Sequence, residues 1–178
     1  MAEEKKPLSR SEREAQIKDK AGFIIVIMAL FLAGNTYLAN NFSGAAQTKL
    51  LQASNTYGFY QAKSIKGTIA EGQLEDAMQT NNKDRIAQLQ AKIDRYESDP
   101  KSGEGKKELL AKAQKLEVER EQARAHGPWL TFSGMLFQLA IVLLSASILS
   151  VDNRMYKASL GVGALGLILM AQGFWLFV

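Results

Sequence analysis

The sequence predicts an all-α integral membrane protein. Three transmembrane helices are expected, with a long extramembrane helical hairpin, coiled-coil-like, between the first and second. Two observations carry this. Ala21–Thr48, Gly127–Val151 and Ala158–Val178 contain no Asp, Glu, Lys or Arg, and about 20 apolar helical residues cross a hydrocarbon core about 30 Å thick. The polar segment between the first two stretches repeats apolar residues at intervals of three and four. That is the period of a helix packing one face on another helix. The mean hydropathy of -0.12 averages over this segregation.

Residues 1–20 form a polar tail with six Lys/Arg and five Asp/Glu. Mixed charge of this kind does not make a nucleic-acid arm. Two readings stand level here, a helix that starts at Ser9 or Ser11 and feeds the first span, residues 21–42, and a mostly disordered front. A basic tail before an apolar run also suits a signal peptide. The run is long, however, and Ala39-Asn40-Asn41 is a poor cleavage site, so it reads as a retained anchor. Its amides, Asn35 among them, are expected to seek partners on a neighbouring helix or at the interface.

The insert, residues 43–126, opens with a helical pattern that no proline interrupts before Pro100. Leu50, Ala53, Tyr57 and Tyr60 recur at 3, 4 and 3, and Ile65 and Ile69 are expected to continue that stripe. "QTNNKD" breaks it, with Asn81 or Asn82 expected to cap the next helix. Ile86, Leu89, Ile93 and Tyr96 repeat the period, and so do Leu109, Ala113 and Leu116 after "SDPKSGEG". The ascending arm has about 34 residues, or about 50 Å. The arms match if the chain reverses at Asn81-Asn82, with "SDPKSGEG" a protruding loop on the return. A subsidiary helix–loop–helix is the competing layout.

Pro128 suits the first turn of the second span, residues 128–150. "VDNRMYK" is a tight turn, and the third span covers residues 158–178. Its Gly161, Gly163, Gly166 and Gly173 let helices approach closely in lipid, so the last two spans are expected to pair antiparallel, with the first against them. Gln138 and Gln172 are expected to hydrogen-bond between spans.

Arg154 and Lys157 in the turn and the six basic residues of the tail lie on one side of a three-span protein. Cytoplasmic loops carry excess Lys/Arg. The N-terminus is therefore expected to be cytoplasmic and the insert periplasmic, in a bacterial inner membrane. Lys49, Arg120 and Arg124 argue the other way.

The lack of cysteine removes disulfides, iron–sulfur clusters and thiolate chemistry. The single histidine, His126, cannot build a Ser/His/Asp set, and a zinc site around it would need several carboxylates. No charged residue lies inside a span, as coupled transport usually requires. No enzyme activity, cofactor, metal or nucleic-acid partner is expected.

"NTYGFYQAKSIKG", Asn55–Gly67, is unusual for a helix. Tyr60, Lys63, Ser64 and Gly67 share one face, and Gly58, Ala62, Ile65 and Ile69 another. Each interior glycine costs about 1 kcal/mol relative to Ala, which suggests a close neighbour. Tyr57, Gly58, Tyr60, Gln61, Lys63, Ser64, Lys66 and Gly67 are the candidate interface or anion-binding residues. A solvated face with incidental aromatics is the plain alternative.

On Tyr57 and the run Tyr60-Gln61-Ala62-Lys63-Ser64-Ile65-Lys66, placed just after a first span, the chain resembles a bacterial membrane family, domain of unknown function four-three-three-seven. That family shares an aromatic-x-x-Tyr-Gln-Ala-Lys core, a charged helical insert and two closing spans. Tyr57 stands where the family often has Trp. "AKIDRYESD" also looks familial, and the Pro/Gly loop after it does not. The resemblance implies a topology over nearly the whole chain and no catalytic residues. The expected function is a non-enzymatic membrane scaffold whose insert self-associates as a homo-oligomer or docks a partner. The alternatives are an accessory subunit of a larger membrane complex and a sensor taking an anion on its Tyr/Lys face.

Overall fold

The computed structural model describes residues 10–176. Within them the chain forms five α-helices and no strand: α1 (Arg10–Gln79), α2 (Lys83–Glu97), α3 (Lys106–Ala125), α4 (Gly127–Ser150) and α5 (Asn153–Trp175). Glu14–Gln79, Lys106–Ser150 and Asn153–Trp175 are each long and apolar enough to cross a membrane. A helix start at Ser9 and the last two residues of the third expected span lie outside the described residues.

Two compact units emerge, one from the chain up to Ser43 together with Ala125 onward, the other from Gly44–Arg124. α1 runs through the junction between the two, at Ser43–Gly44, without a break. No proline lies between Pro7 and Pro100. Gly44 is held inside the helix, its carbonyl accepting the Thr48 hydroxyl at 2.9 Å.

In the first unit α4 and α5 are antiparallel. Apart from Gly134, which lies against Asn35 of α1, the buried residues of α4, Leu130, Ser133, Phe137, Ala140, Leu144 and Ser147, alternate at 3 and 4. They face small residues of α5. A Cβ on Gly166 would lie 3.1 Å from the Phe137 ring, and one on Gly173 would lie 2.9 Å from Leu130. Gly163 is pressed by Met28 of α1. The expectation of close glycine-mediated packing therefore holds at Gly163, Gly166 and Gly173. At Gly161 it does not, because a Cβ there would meet nothing within 4 Å.

The first span lies against this pair. Phe31 stacks on Phe137 with ring centroids 6.0 Å apart, and Asn35 Nδ2 donates to the Leu130 carbonyl at 2.8 Å. Ser133 Oγ donates to the Gly166 carbonyl at 2.8 Å. Gln138, expected to bond between spans, is exposed, and Gln172 is half-buried. The buried face of α4 is set by the 3–4 row through Ser133 and Phe137, and Gln138 falls outside it. Pro128 occupies the first turn of α4 as expected.

In the second unit the chain reverses at Thr80–Asn82, where Asn81 takes a left-handed φ of 51°. Asn82 Oδ1 accepts the Arg85 N–H and caps α2. The reversal and the cap fall where arm lengths and residue type place them.

Candidate interface on the first helix

The seam of α1 in the second unit is the expected one only in part: Ala53 and Tyr60 lie on it and Tyr57 beside it, while Leu50, Ile65 and Ile69 do not. Its buried and half-buried positions include Ala46, Lys49, Ala53, Thr56, Tyr60, Lys63, Gly67, Ala70, Leu74 and Ala77, which alternate strictly at 3 and 4. Ala53 is 2 % exposed and Ala70 1 %, while Leu50 is 46 % exposed, Ile65 62 % and Ile69 56 %. The stripe expected through Leu50, Ile65 and Ile69 is therefore corrected. Most seam positions other than the two lysines are small, with Tyr60 and Leu74 the bulky exceptions, and Leu50, Ile65 and Ile69 face outward. Burial favours the largest side chain only where a partner leaves room for it. Here the other wall brings its own bulk, namely Leu89 of α2, and Leu109 and Ala113 of α3, all buried, flanked by half-buried Ile86, Ile93, Tyr96 and Leu116. These are the positions that the periodicity of the returning arm picks out.

Ion pairs set the register of the arms. Lys49 Nζ lies 2.5 Å from Glu119 Oε2, and the ammonium holds that carboxyl below the ordinary carboxylate range. Lys63 Nζ lies 3.6 Å from Glu104 and 5.6 Å from the centre of the Tyr96 ring. A cation over a ring face is attracted by its quadrupole. Tyr57 is half-buried, and burial, followed by the neighbouring Glu117 carboxylate, pushes its hydroxyl pKa up.

The "SDPKSGEG" loop has an exposed tip, Pro100–Glu104, as a protruding loop should. Its base is tied back instead. Glu108 accepts from Ser98 Oγ at 2.6 Å and from the Asp99 N–H at 3.1 Å. Lys106 bridges to Glu97 at 2.8 Å, which raises the lysine pKa and lowers that of the acid. Hydrogen bonds from Ser102 and from Arg95 hold the Asp99 carboxyl down at about 2. Gly105 is buried, and a Cβ there would sit 2.6 Å from Ser98 Cα.

The candidate residues thus divide between two faces. Tyr57, Tyr60, Lys63, Ser64 and Gly67 lie on or beside the seam, buried or half-buried. Gly58, Gln61 and Lys66 are exposed. Gly58, Gln61 and Tyr57 line a shallow cavity of about 420 Å³ with Glu117 and Arg120 of α3. Arg120 is itself paired with Glu121. The charged groups of the lining both come from α3, a carboxylate and an engaged guanidinium.

Sequence reasoning missed the outward face. A strict seven-residue period imposes a left-handed supercoil, so the side opposite the seam keeps the same period. That side carries Gly44, Leu51, Gly58, Ile65 and Gly72, all exposed. Leu51 is 64 % exposed, and Phe59 beside this row is 66 % exposed. A Cβ on Gly44, Gly58 or Gly72 would meet nothing within 4 Å. The signal was available as a Gly-x6-Leu-x6-Gly-x6-Ile-x6-Gly spacing.

His126, the residue between α3 and α4, stacks on Phe42 with centroids 3.8 Å apart. Its Nδ1–H donates to the Gly173 carbonyl at 2.7 Å. No group of three or more His, Asp or Glu able to hold a metal occurs among the described residues.

The model of the family described as Domain of unknown function (DUF4337) matches residues 17–176. No curated protein and no solved structure matches the chain.

Proposed function

We propose a scaffold function for this chain, which belongs to the family Domain of unknown function (DUF4337). In this reading it crosses a bacterial inner membrane three times, through the first part of α1, through α4 and through α5. The N-terminus and the Val151–Asp152 turn are cytoplasmic, and the hairpin of the second unit is periplasmic. The outward face of α1 in that unit packs on a second copy, building a homo-oligomer.

The observation that carries this is the glycine row Gly44, Gly58 and Gly72. Each glycine lowers helix stability by about 1 kcal/mol relative to Ala, and no neighbour among the described residues needs the space. Residues 50–62 also carry no charge, although much of their surface is exposed. An uncharged face with intermittent bulk and gaps suits a close helix crossing better than water. The anion-sensor alternative is weakened by the ion pair that occupies Lys63 and by Glu117 on the cavity wall.

The test is the mass of the detergent- or nanodisc-solubilised protein, wild type beside Gly58→Leu/Gly72→Leu. A defined oligomer that dissociates in the variant is expected. A wild-type monomer would sink self-assembly and favour the accessory-subunit alternative, to be pursued by cross-linking through exposed Lys66.

A further inference from the structure

At the end of α4 remote from His126, α1 meets the α4–α5 turn. Val151 takes a left-handed φ of 53° there. Asp152 Oδ1 accepts the Arg154 N–H at 2.8 Å and caps α5. Between this turn and the stretch of α1 before Ala21 lies a cavity of about 610 Å³. Lys20 lines it from α1 and Arg154 from the start of α5. Neither side chain is in an ion pair among the described residues. The one carboxylate among the described lining residues, Asp152, is already engaged with a backbone N–H, so cationic charge is in excess among them. The remaining lining is of two kinds. Gln16 and Asn153 offer amides, while Ile17, Val151 and Tyr156 offer half-buried apolar surface.

Position and size narrow the ligand. Lys20 is the last charge before the run Ala21–Thr48, and Arg154 is the first cation after Gly127–Val151. In a three-span protein both stand at headgroup depth. Basic pockets between membrane helices on the cytoplasmic side take anionic headgroups. Tyrosine is enriched at that depth, and Tyr156 packs against the apolar core of the first unit. Small-molecule sites occupy roughly 300–1,000 Å³. A bare phosphate would leave most of this cavity to water, whereas a phosphodiester with its glycerol and first acyl carbons would use both the cationic and the apolar walls.

We propose that this cavity binds the anionic phosphodiester headgroup of a membrane phospholipid between Lys20 and Arg154, with the start of its acyl chains over Ile17, Val151 and Tyr156. The guanidinium takes two phosphate oxygens as a fork and the ammonium acts as a point charge. A zwitterionic choline head is disfavoured, because its own cation would lie beside these two. The bound lipid joins the start of α1 to the α4–α5 turn. The site rests on the three-span reading.

The full chain in mild detergent is titrated with phosphatidylglycerol, with phosphatidylcholine of the same acyl chains, and with inorganic phosphate. Retained lipid is counted by native mass spectrometry. The wild type is expected to hold phosphatidylglycerol about tenfold more tightly than phosphatidylcholine, about 1.4 kcal/mol. Lys20→Gln/Arg154→Gln is expected to lose that preference. Lys18→Gln/Lys157→Gln, which removes the same charge from residues outside the cavity lining, is expected to keep it. Arg154→Lys alone is expected to lose part of it, which guards against a folding defect in the double variant. Equal retention of the two lipids by the wild type overturns the site, as does equal loss of preference in both double variants. Displacement of phosphatidylglycerol by millimolar inorganic phosphate overturns the lipid source in favour of a free anion. Extraction of the protein from vesicles by alkaline carbonate sinks the three-span reading and the site together. Firm insertion without lipid preference sinks the site alone.

Discussion

Asn35 is 3 % exposed, and its amide nitrogen donates to the Leu130 carbonyl, while its oxygen has no partner among the described residues. Interhelical polar bonds in membranes contribute about 0.6 kcal/mol on average and up to about 1.7. Asn35→Ala should lower stability by about 1 kcal/mol, read by unfolding in a denaturing-detergent titration. Gly166→Leu should cost more, about 1–3 kcal/mol, because its Cβ alone would reach 3.1 Å from the rigid Phe137 ring. An acid transition belongs to the loop base. The Asp99 carboxyl is held at about 2, and that of Glu108 is also lowered, chiefly by the Ser98 hydroxyl. A depressed folded pKa contributes stability above the unfolded value of about 3.9, lost as pH falls towards 2. Amide protection in Ser98–Gly105, measured against the intrinsic exchange rate at each pH, should fall between about pH 4 and pH 2 while the α2 interior stays protected. In Glu108→Gln it should already be lower at pH 7.

At the scale of the element, α1 carries two faces with opposite demands. The seam is made of Ala, Gly, Thr and Lys together with Tyr60 and Leu74, and the outward row of glycine and bulky apolar residues. The self-association proposal gives Gly58→Ala two effects of opposite sign. Replacing an exposed interior glycine should stabilise the isolated helix by up to about 1 kcal/mol. It should also weaken the oligomer, where the missing Cβ leaves room for the partner helix. Chemical denaturation of the monomeric form and sedimentation of the oligomer separate the two, and strengthening of both would refute the outward face as the contact. The returning arm was legible in the sequence, since Ile86, Leu89, Ile93, Tyr96, Leu109, Ala113 and Leu116 all fall on its inward side. The ascending seam was not, because periodicity weighted by bulk selects Leu50, Ile65 and Ile69. Which row is inside depends on the side chains of the facing helix.

At the scale of the whole molecule, orientation is the open physical quantity, and the absence of native cysteine makes it measurable. Lys157→Cys should react with an impermeant maleimide only after the cytoplasmic side is opened. Lys101→Cys, on the exposed loop tip, should react from the outside of intact spheroplasts. The reverse pattern would put the hairpin in the cytoplasm and leave the helix packing untouched.

The sequence by itself determined the helical class, the three apolar runs, the reversal at Asn81-Asn82, the inward face of the returning arm and the close packing at Gly163, Gly166 and Gly173, though not its failure at Gly161. All of these follow from local properties: uninterrupted apolarity, proline placement, cap chemistry and period. Only the tertiary structure decided that Lys63 is engaged with Glu104, that Gly58 and Gly67 belong to different faces, that Asn35 and not Gln138 bonds between helices, and that Lys20 and Arg154 line one cavity. Each depends on which residues distant in sequence come within a few ångströms, and that is settled by how two surfaces fit.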